Sequence, residues 1–385
     1  MTDGHEDKAS GMNGYLTILP MRLDKGFTVT HQVVVPSPWG GPLLMGSLGV
    51  DVAGEPTLII VNETPVNFIR PSQPLDTPDK WALEMIHLQR AAVDARYATG
   101  QELFRAIDKG ADPPDAVVDT GNEKYGWELT TLTVEGRRQA RDLFNNVRAK
   151  LAMQQRHRVS HLAGHLTYMW FGMAAEKAGL PYRRNDATAV DELLDALATY
   201  KPDPSHYTAD VQGGPPPQLP GGYDSVNAPG DVALFSTPFL NGVPTSPLFS
   251  LTGVEIGLAY QSNHSASREW SKLRDLINKK DRPENNVLLI SVGAPDRVGN
   301  QYPAEEVLAN FLLDNPEPVT ANHLSAVLLH FWGTGRAMNL LGAAPTEAWP
   351  AVYQGNMPSS QLFRPTPPTQ DPGPSTSQDP SASDD

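Results

Sequence analysis

The stretch from Pro113 to Thr130 constrains this chain more than any other. Ala116-Val117-Val118-Asp119 and the run from Lys124 to Leu129 read as strands, and Thr120-Gly121-Asn122-Glu123 between them reads as a turn. With the turn centred between Gly121 and Asn122, antiparallel pairing sets Asp119 opposite Lys124 and Asp115 opposite Glu128. Side chains alternate across a strand. One face of the hairpin therefore carries Asp115, Asp119, Lys124, Glu128 and Thr130, and the other carries Ala116, Val118, Tyr125, Trp127 and Leu129. An acidic face backed by an apolar one must be built into a larger sheet.

The surrounding patterns supply that sheet and its helices. Strand-like segments occupy Tyr15 to Leu19, Phe27 to Val35 and Thr57 to Val61. After a Pro-rich connection (Pro71 to Pro78), a helix is predicted from about Lys80 to Lys109, with apolar positions Leu83, Ile86, Leu88, Val93, Leu103 and Ile107. Gly100 is a candidate break in it. A helix from Val134 to Met153 follows the hairpin, opened by Thr133, with further helical pattern over Val159 to Gly179 and Ala187 to Tyr200. Beyond a Pro/Gly-rich loop, Val254 to Tyr260 and Val287 to Val292 read as strands. Helices are predicted at Ser267 to Lys280, Ala304 to Leu313 and Ala321 to Trp332. The expected class is α/β, a mixed central sheet flanked by helices. The expected division is a β-rich segment (residues 1–79), a core (80–200), a loop or insertion (201–231), a second α/β block (232–357) and a disordered tail (358–385) rich in Pro, Ser, Thr and Asp.

Composition narrows the function classes. The 385 residues include no cysteine, which excludes disulfides, thiolate nucleophiles and cysteine-ligated metals. No apolar run reaches the ~18 residues of a membrane span. The polar residues from Met1 to Gly11 do not resemble a signal peptide, so a cytoplasmic protein is expected. The net charge of −14 opposes general binding to nucleic acid. Yet Val134 to Arg158 carries Arg137, Arg138, Arg141, Arg148, Lys150, Arg156 and Arg158 against Glu135 and Asp142. Such a strip suits a phosphate-facing groove, and a solvated helix face is the competing explanation.

Two carboxylates on directly opposed strand positions repel each other unless a cation lies between them. A hard divalent ion such as Mg2+ suits that arrangement, because it activates water and neutralises a phosphodiester oxygen.

Pro114-Asp115, Glu128-Leu129-Thr130 and the preceding helix together resemble the PD-(D/E)XK, or restriction-endonuclease-like, nuclease superfamily. Those proteins place Pro-Asp at the start of one strand and Glu-x-Lys at the end of the next, and the preceding helix often lends a further Glu. The resemblance spans about Lys80 to Leu151, and Val287 to Val292 extends it. It implies a metal-dependent nuclease acting on DNA, with Mg2+ or Mn2+ held by Asp115 and Glu128 and assisted by Glu84. Arg137, Arg138 and Arg141 would contact nucleic acid. The family's lysine is replaced by Thr130, making this a Glu-x-Thr variant. Lys124, Arg137, Arg138 and the pair Lys279-Lys280 are the local cations that could compensate, so the candidate catalytic set is Asp115, Glu128, Thr130 and Lys124. The alternatives are a catalytically inactive nuclease-like scaffold and an unrelated α/β interaction protein. Homo-oligomerisation is left open.

Other patterns carry less. His157, His161 and His165 recur every fourth residue and would line one helix face, but surface or packing roles explain them better than zinc. Trp332-Gly333-Thr334-Gly335-Arg336 follows a predicted helix, which argues for a C-cap against a phosphate loop. Trp170, Phe171, Phe331 and Trp332 are core candidates on apolar helices.

Overall fold

The computed structural model describes residues 27–36, 42–66, 79–134, 136–152, 156–163, 165–172, 187–201, 232–238, 254–296, 302–350 and 362–363. The expected segments at Tyr15 to Leu19 and Pro71 to Pro78 lie outside them, as do residues 202–231 and all of the tail but Leu362 and Phe363.

In chain order, β1 (Thr28–Pro36), β2 (Pro42–Val50) and β3 (Pro56–Val66) are followed by α1 (Lys80–Thr99). Next come β4 (Ala106–Lys109), β5 (Ala116–Asp119), β6 (Lys124–Thr131) and α2 (Arg137–Lys150). A 3-10 turn (Arg156–Leu162), β7 (His165–Phe171), α3 (Ala187–Thr199), β8 (Ala233–Pro238) and β9 (Val254–Ser265) make up the middle of the chain. Then follow α4 (Ala266–Lys280), β10 (Val287–Val292), α5 (Pro303–Asp314), β11 (Ala326–Phe331), β12 (Ala337–Asn339), β13 (Thr346–Trp349) and β14 (Leu362–Phe363).

The chain is α/β, with helices flanking two mixed sheets. One sheet has the order β14-β1-β2-β3-β9-β7-β8 and the other β13-β12-β11-β10-β6-β5-β4. In the second sheet β4, β5 and β6 form an antiparallel meander, whereas β6, β10 and β11 are parallel. One face of this sheet buries Ala116, Val118, Trp127 and Leu129 against Met85, Leu88, Ala91 and Ala95 of α1. The other face packs Leu288, Ile290 and Val292 against Trp270, Leu273 and Ile277 of α4. Helix α5 belongs to two cores. Its Ala309 and Leu312 join the second sheet, while Ala304, Leu308 and Phe311 join the core of the first.

Helix α1 stops at Thr99, because Gly100 takes the left-handed conformation (φ 72°) and its N–H closes the last turn on Arg96. Ile107 lies in β4, and Ile86 and Val93 are exposed. The stretch predicted as helix from Val159 becomes the end of a 3-10 turn and then β7. The stretch predicted as helix at 321–332 contains β11, parallel to β10. Trp170, Phe171 and Phe331 are buried as expected, but on strands. Leu362 and Phe363, placed in the expected tail, pair with Val33 and Gln32 of β1.

Candidate functional site

The hairpin register matches the alternation in the sequence. Asp119 pairs with Lys124, and the ladder runs to Ala116 opposite Trp127. Asp115 and Glu128 are therefore the next residues out across the two strands. Where the backbone ladder ends, the Asp115 side chain takes over: its Oδ2 accepts the Leu129 N–H at 2.9 Å. The Asp115 carbonyl accepts from Gly110 (3.0 Å), so this end of β5 is held from both sides.

The first turn of α1 faces Asp115. The Lys80 ammonium lies 3.3 Å from Glu84 Oε1 and 3.5 Å from Asp115 Oδ1, bridging the two acids. Burial raises the pKa of Glu84, and the neighbouring Asp115 raises it further. Burial alone would lower the pKa of Lys80, but Asp115 and Glu84 outweigh it and the net shift is upward. Helix and hairpin thus bring Glu84 and Asp115 to one ammonium.

Glu128 projects toward α4, on the opposite face from its neighbours Trp127 and Leu129. It is buried, and its Oε1 accepts from Lys280 at the C-terminal end of α4. Its Oε2 is buried without a hydrogen-bond partner. Lys280 is one of the cations proposed to replace the lysine missing at Thr130, and it alone of that group reaches Glu128. Lys124 does not. It stands at the turn end of the hairpin beside Asp108 (3.9 Å), four residues or roughly 13 Å along β6 from Glu128. Thr130 is half-buried, paired with Ile290 of β10.

The arginines of α2 are elsewhere. Arg137 is buried, contrary to a role on an open groove, and with Arg138 and Arg141 it surrounds Tyr302, past the carboxyl end of β6. Further along the basic strip, Lys150 pairs with Asp191 (2.6 Å) and Arg158 with Asp195 (2.5 Å) of α3. His157 and His161 are exposed in the 3-10 turn and His165 opens β7, so the three imidazoles do not line a helix. Gly333 follows a strand and not a helix, but β12 follows in turn, so a phosphate loop is still not formed.

One buried polar network had no sequence signal. Asp94 of α1 accepts from Arg90 (2.8 Å) and lies 2.9 Å from His330 Nε2 at the end of β11, with Asp94 and His330 fully enclosed. Arg90 also lies over Trp332, whose ring meets His87 edge to face. Asp94 and His330 are 236 residues apart in sequence, and no local pattern links them.

Among the described residues, no group of three or more His, Asp or Glu side chains is arranged to hold a metal ion. Two observations bear on whether the acidic residues suit a hard divalent ion. Lys80 stands as a cation between Glu84 and Asp115, and Glu128 keeps one buried oxygen unsatisfied. The donors are all carboxylate oxygens, the type such ions take. Comparison with protein-family models, curated proteins and solved structures found no match for this chain.

Proposed function

We propose that the chain is a metal-dependent, nuclease-like hydrolase of DNA phosphodiesters, with Asp115 and Glu128 as the principal metal ligands and Glu84 assisting. The observation that carries this is Lys280 on Glu128: a helix distant in sequence delivers an ammonium to the strand carboxylate, where the Glu-x-Thr motif lacks one. The path from α1 through the β4-β5-β6 meander to α2, with β10 parallel to β6, supports the same reading. A bound Mg2+ or Mn2+ would polarise the phosphodiester and activate water. The protein's own groups do the rest. Glu128 orients the Lys280 ammonium, which can accept the charge growing on a phosphate oxygen. The Leu129 N–H fixes the Asp115 carboxylate, and Lys80 holds Glu84 beside it.

One observation favours an inactive scaffold: lysines already neutralise the carboxylates at this end of the hairpin. Cleavage of single- and double-stranded DNA with Mg2+ or Mn2+ separates the two. Hydrolysis by the wild type that falls at least about 100-fold in Glu128→Ala and Asp115→Asn supports the enzyme. Hydrolysis equal in wild type and variants removes the proposed roles. DNA binding without hydrolysis establishes the scaffold.

A further inference from the structure

We infer that Ser262, His264 and Glu269 form a second hydrolytic centre, in which a serine nucleophile, an imidazole base and an orienting carboxylate act on a carboxylic ester. The three meet where β9 passes into α4. Ser262 and His264 stand two residues apart on β9 and so share one face of the strand. The Ser262 hydroxyl lies 2.8 Å from His264 Nε2. Across the ring, Nδ1 lies 3.2 Å from Oε1 of Glu269, in the first turn of α4. That approach has the distance of an ion pair without the alignment of a hydrogen bond. Catalytic hydrogen bonds are often misaligned until substrate binds. Such a constellation is recognised by geometry and roles, whatever its order along the chain.

The strand pattern sets these residues apart from packing. Ile256, Leu258 and Tyr260 put apolar side chains into the core from the same face of β9. At Ser262 and His264 that face turns polar, opposite Ile60 and Leu58 of β3. The change falls where β7, parallel to β9, has ended at Phe171 opposite Tyr260. Ser262 therefore lies beyond the carboxyl end of a parallel pair, where open α/β sheets receive ligands. It is half-buried, and His264 and Glu269 behind it are buried. Burial would raise Glu269, but His264, Lys272 and Arg268 outweigh it and hold the carboxyl at about 2. An anion thus faces Nδ1 and keeps the proton there, which leaves Nε2 to accept from Ser262. Attack by the Ser262 Oγ on the acyl carbon forms the acyl-serine ester as its proton passes to Nε2. The bond to the alcohol breaks, and the alcohol leaves with that proton. Water then attacks the acyl-serine by the same route, releasing the acid and restoring the hydroxyl. Arg268, held by Glu269 (3.1 Å) and the Asn263 carbonyl, supplies positive charge beside the strand for the oxyanion.

The test treats the full chain with a fluorophosphonate, which phosphonylates an activated serine and releases fluoride, and follows hydrolysis of p-nitrophenyl acetate and butyrate. Peptide mass mapping of the wild type should place the label on Ser262. Label and ester turnover should both be lost in Ser262→Ala and fall about 100-fold or more in His264→Gln. Glu269→Gln should lower kcat about tenfold or more at unchanged KM, with partial recovery in Glu269→Asp, a split that a purely structural role would not give. Ser267→Ala, which removes an exposed neighbouring hydroxyl, should label as the wild type does. The mapping on wild type decides the matter even where a variant unfolds. Three results overturn the proposal: no label on Ser262, labelling of Ser262 at an equal rate in a folded His264→Gln, or ester hydrolysis that persists in Ser262→Ala.

Discussion

Lys280 and Glu128 show how much one residue's surroundings decide. The Glu128 side chain is 4% exposed and that of Lys280 is 30% exposed. Removing either breaks the pair, but with unequal cost. Without Lys280 the carboxylate stays buried with no counter-charge, whereas without the carboxylate the ammonium can return to water. Lys280→Met should therefore destabilise by about 3–5 kcal/mol and Glu128→Gln by clearly less, read from urea denaturation midpoints. Equal losses would show that the pair does not work through this asymmetry. Two further carboxylates make stability depend on pH in opposite directions. Glu305, raised to about 7 by burial, favours the folded state fully below its ordinary 4.5 and loses that contribution as pH rises through 7. Glu305→Gln should gain on the wild type by up to roughly 3 kcal/mol between pH 4 and pH 8, followed by chemical denaturation across that range. Burial would raise Glu269 as well, but a hydrogen bond to His264 and the charges of His264, Lys272 and Arg268 bring it down to about 2. Its contribution is present above 4.5 and lost as pH falls toward 2, so Glu269→Gln should flatten the acid limb of the same curve.

At the scale of elements, patterns with a strong local cause were legible and short apolar runs were not. Helix α4 and strand β10 fell where the sequence puts them, because amphipathic spacing with a Ser265 cap, and an unbroken Val-Leu-Leu-Ile-Ser-Val run, each favour one conformation. The runs at 165–171 and 326–331 carry a helical pattern in the sequence yet form strands. Short, mostly apolar runs fit a buried helix and a buried strand alike, and neighbouring strands decide the outcome. Where α1 ends is likewise local. Gly100 occupies a left-handed position that a Cβ disfavours, so Gly100→Ala should cost about 1 kcal/mol and lower the melting temperature by a few degrees, with helix content by circular dichroism unchanged. No loss of stability would mean that the terminator contributes nothing beyond geometry.

On the scale of the whole molecule, α5 packs into the cores of both sheets, so the two are expected to unfold together. Phe311 is 3% exposed, in the core beneath the first sheet, while Leu312 next to it packs on the second. Phe311→Ala should cost about 3–5 kcal/mol, and near- and far-ultraviolet circular dichroism should still report a single transition. Two separate transitions would show that the sheets unfold independently.

The sequence by itself determined the hairpin's register, with Asp115 and Glu128 one step beyond its ladder, but not the side-chain partners, for Asp115 meets Lys80 of α1 and Glu128 meets Lys280 of α4. The register follows from alternation and a turn, which act over a few residues. Only the tertiary structure decided which cation serves Glu128, because Lys280 is 152 residues away and arrives on the packing of α4. It likewise turned a basic strip into a ring of guanidiniums around Tyr302, and enclosed His330 with Asp94. Contacts between distant segments leave no period in the chain, since what selects them is the packing of helices against completed sheets.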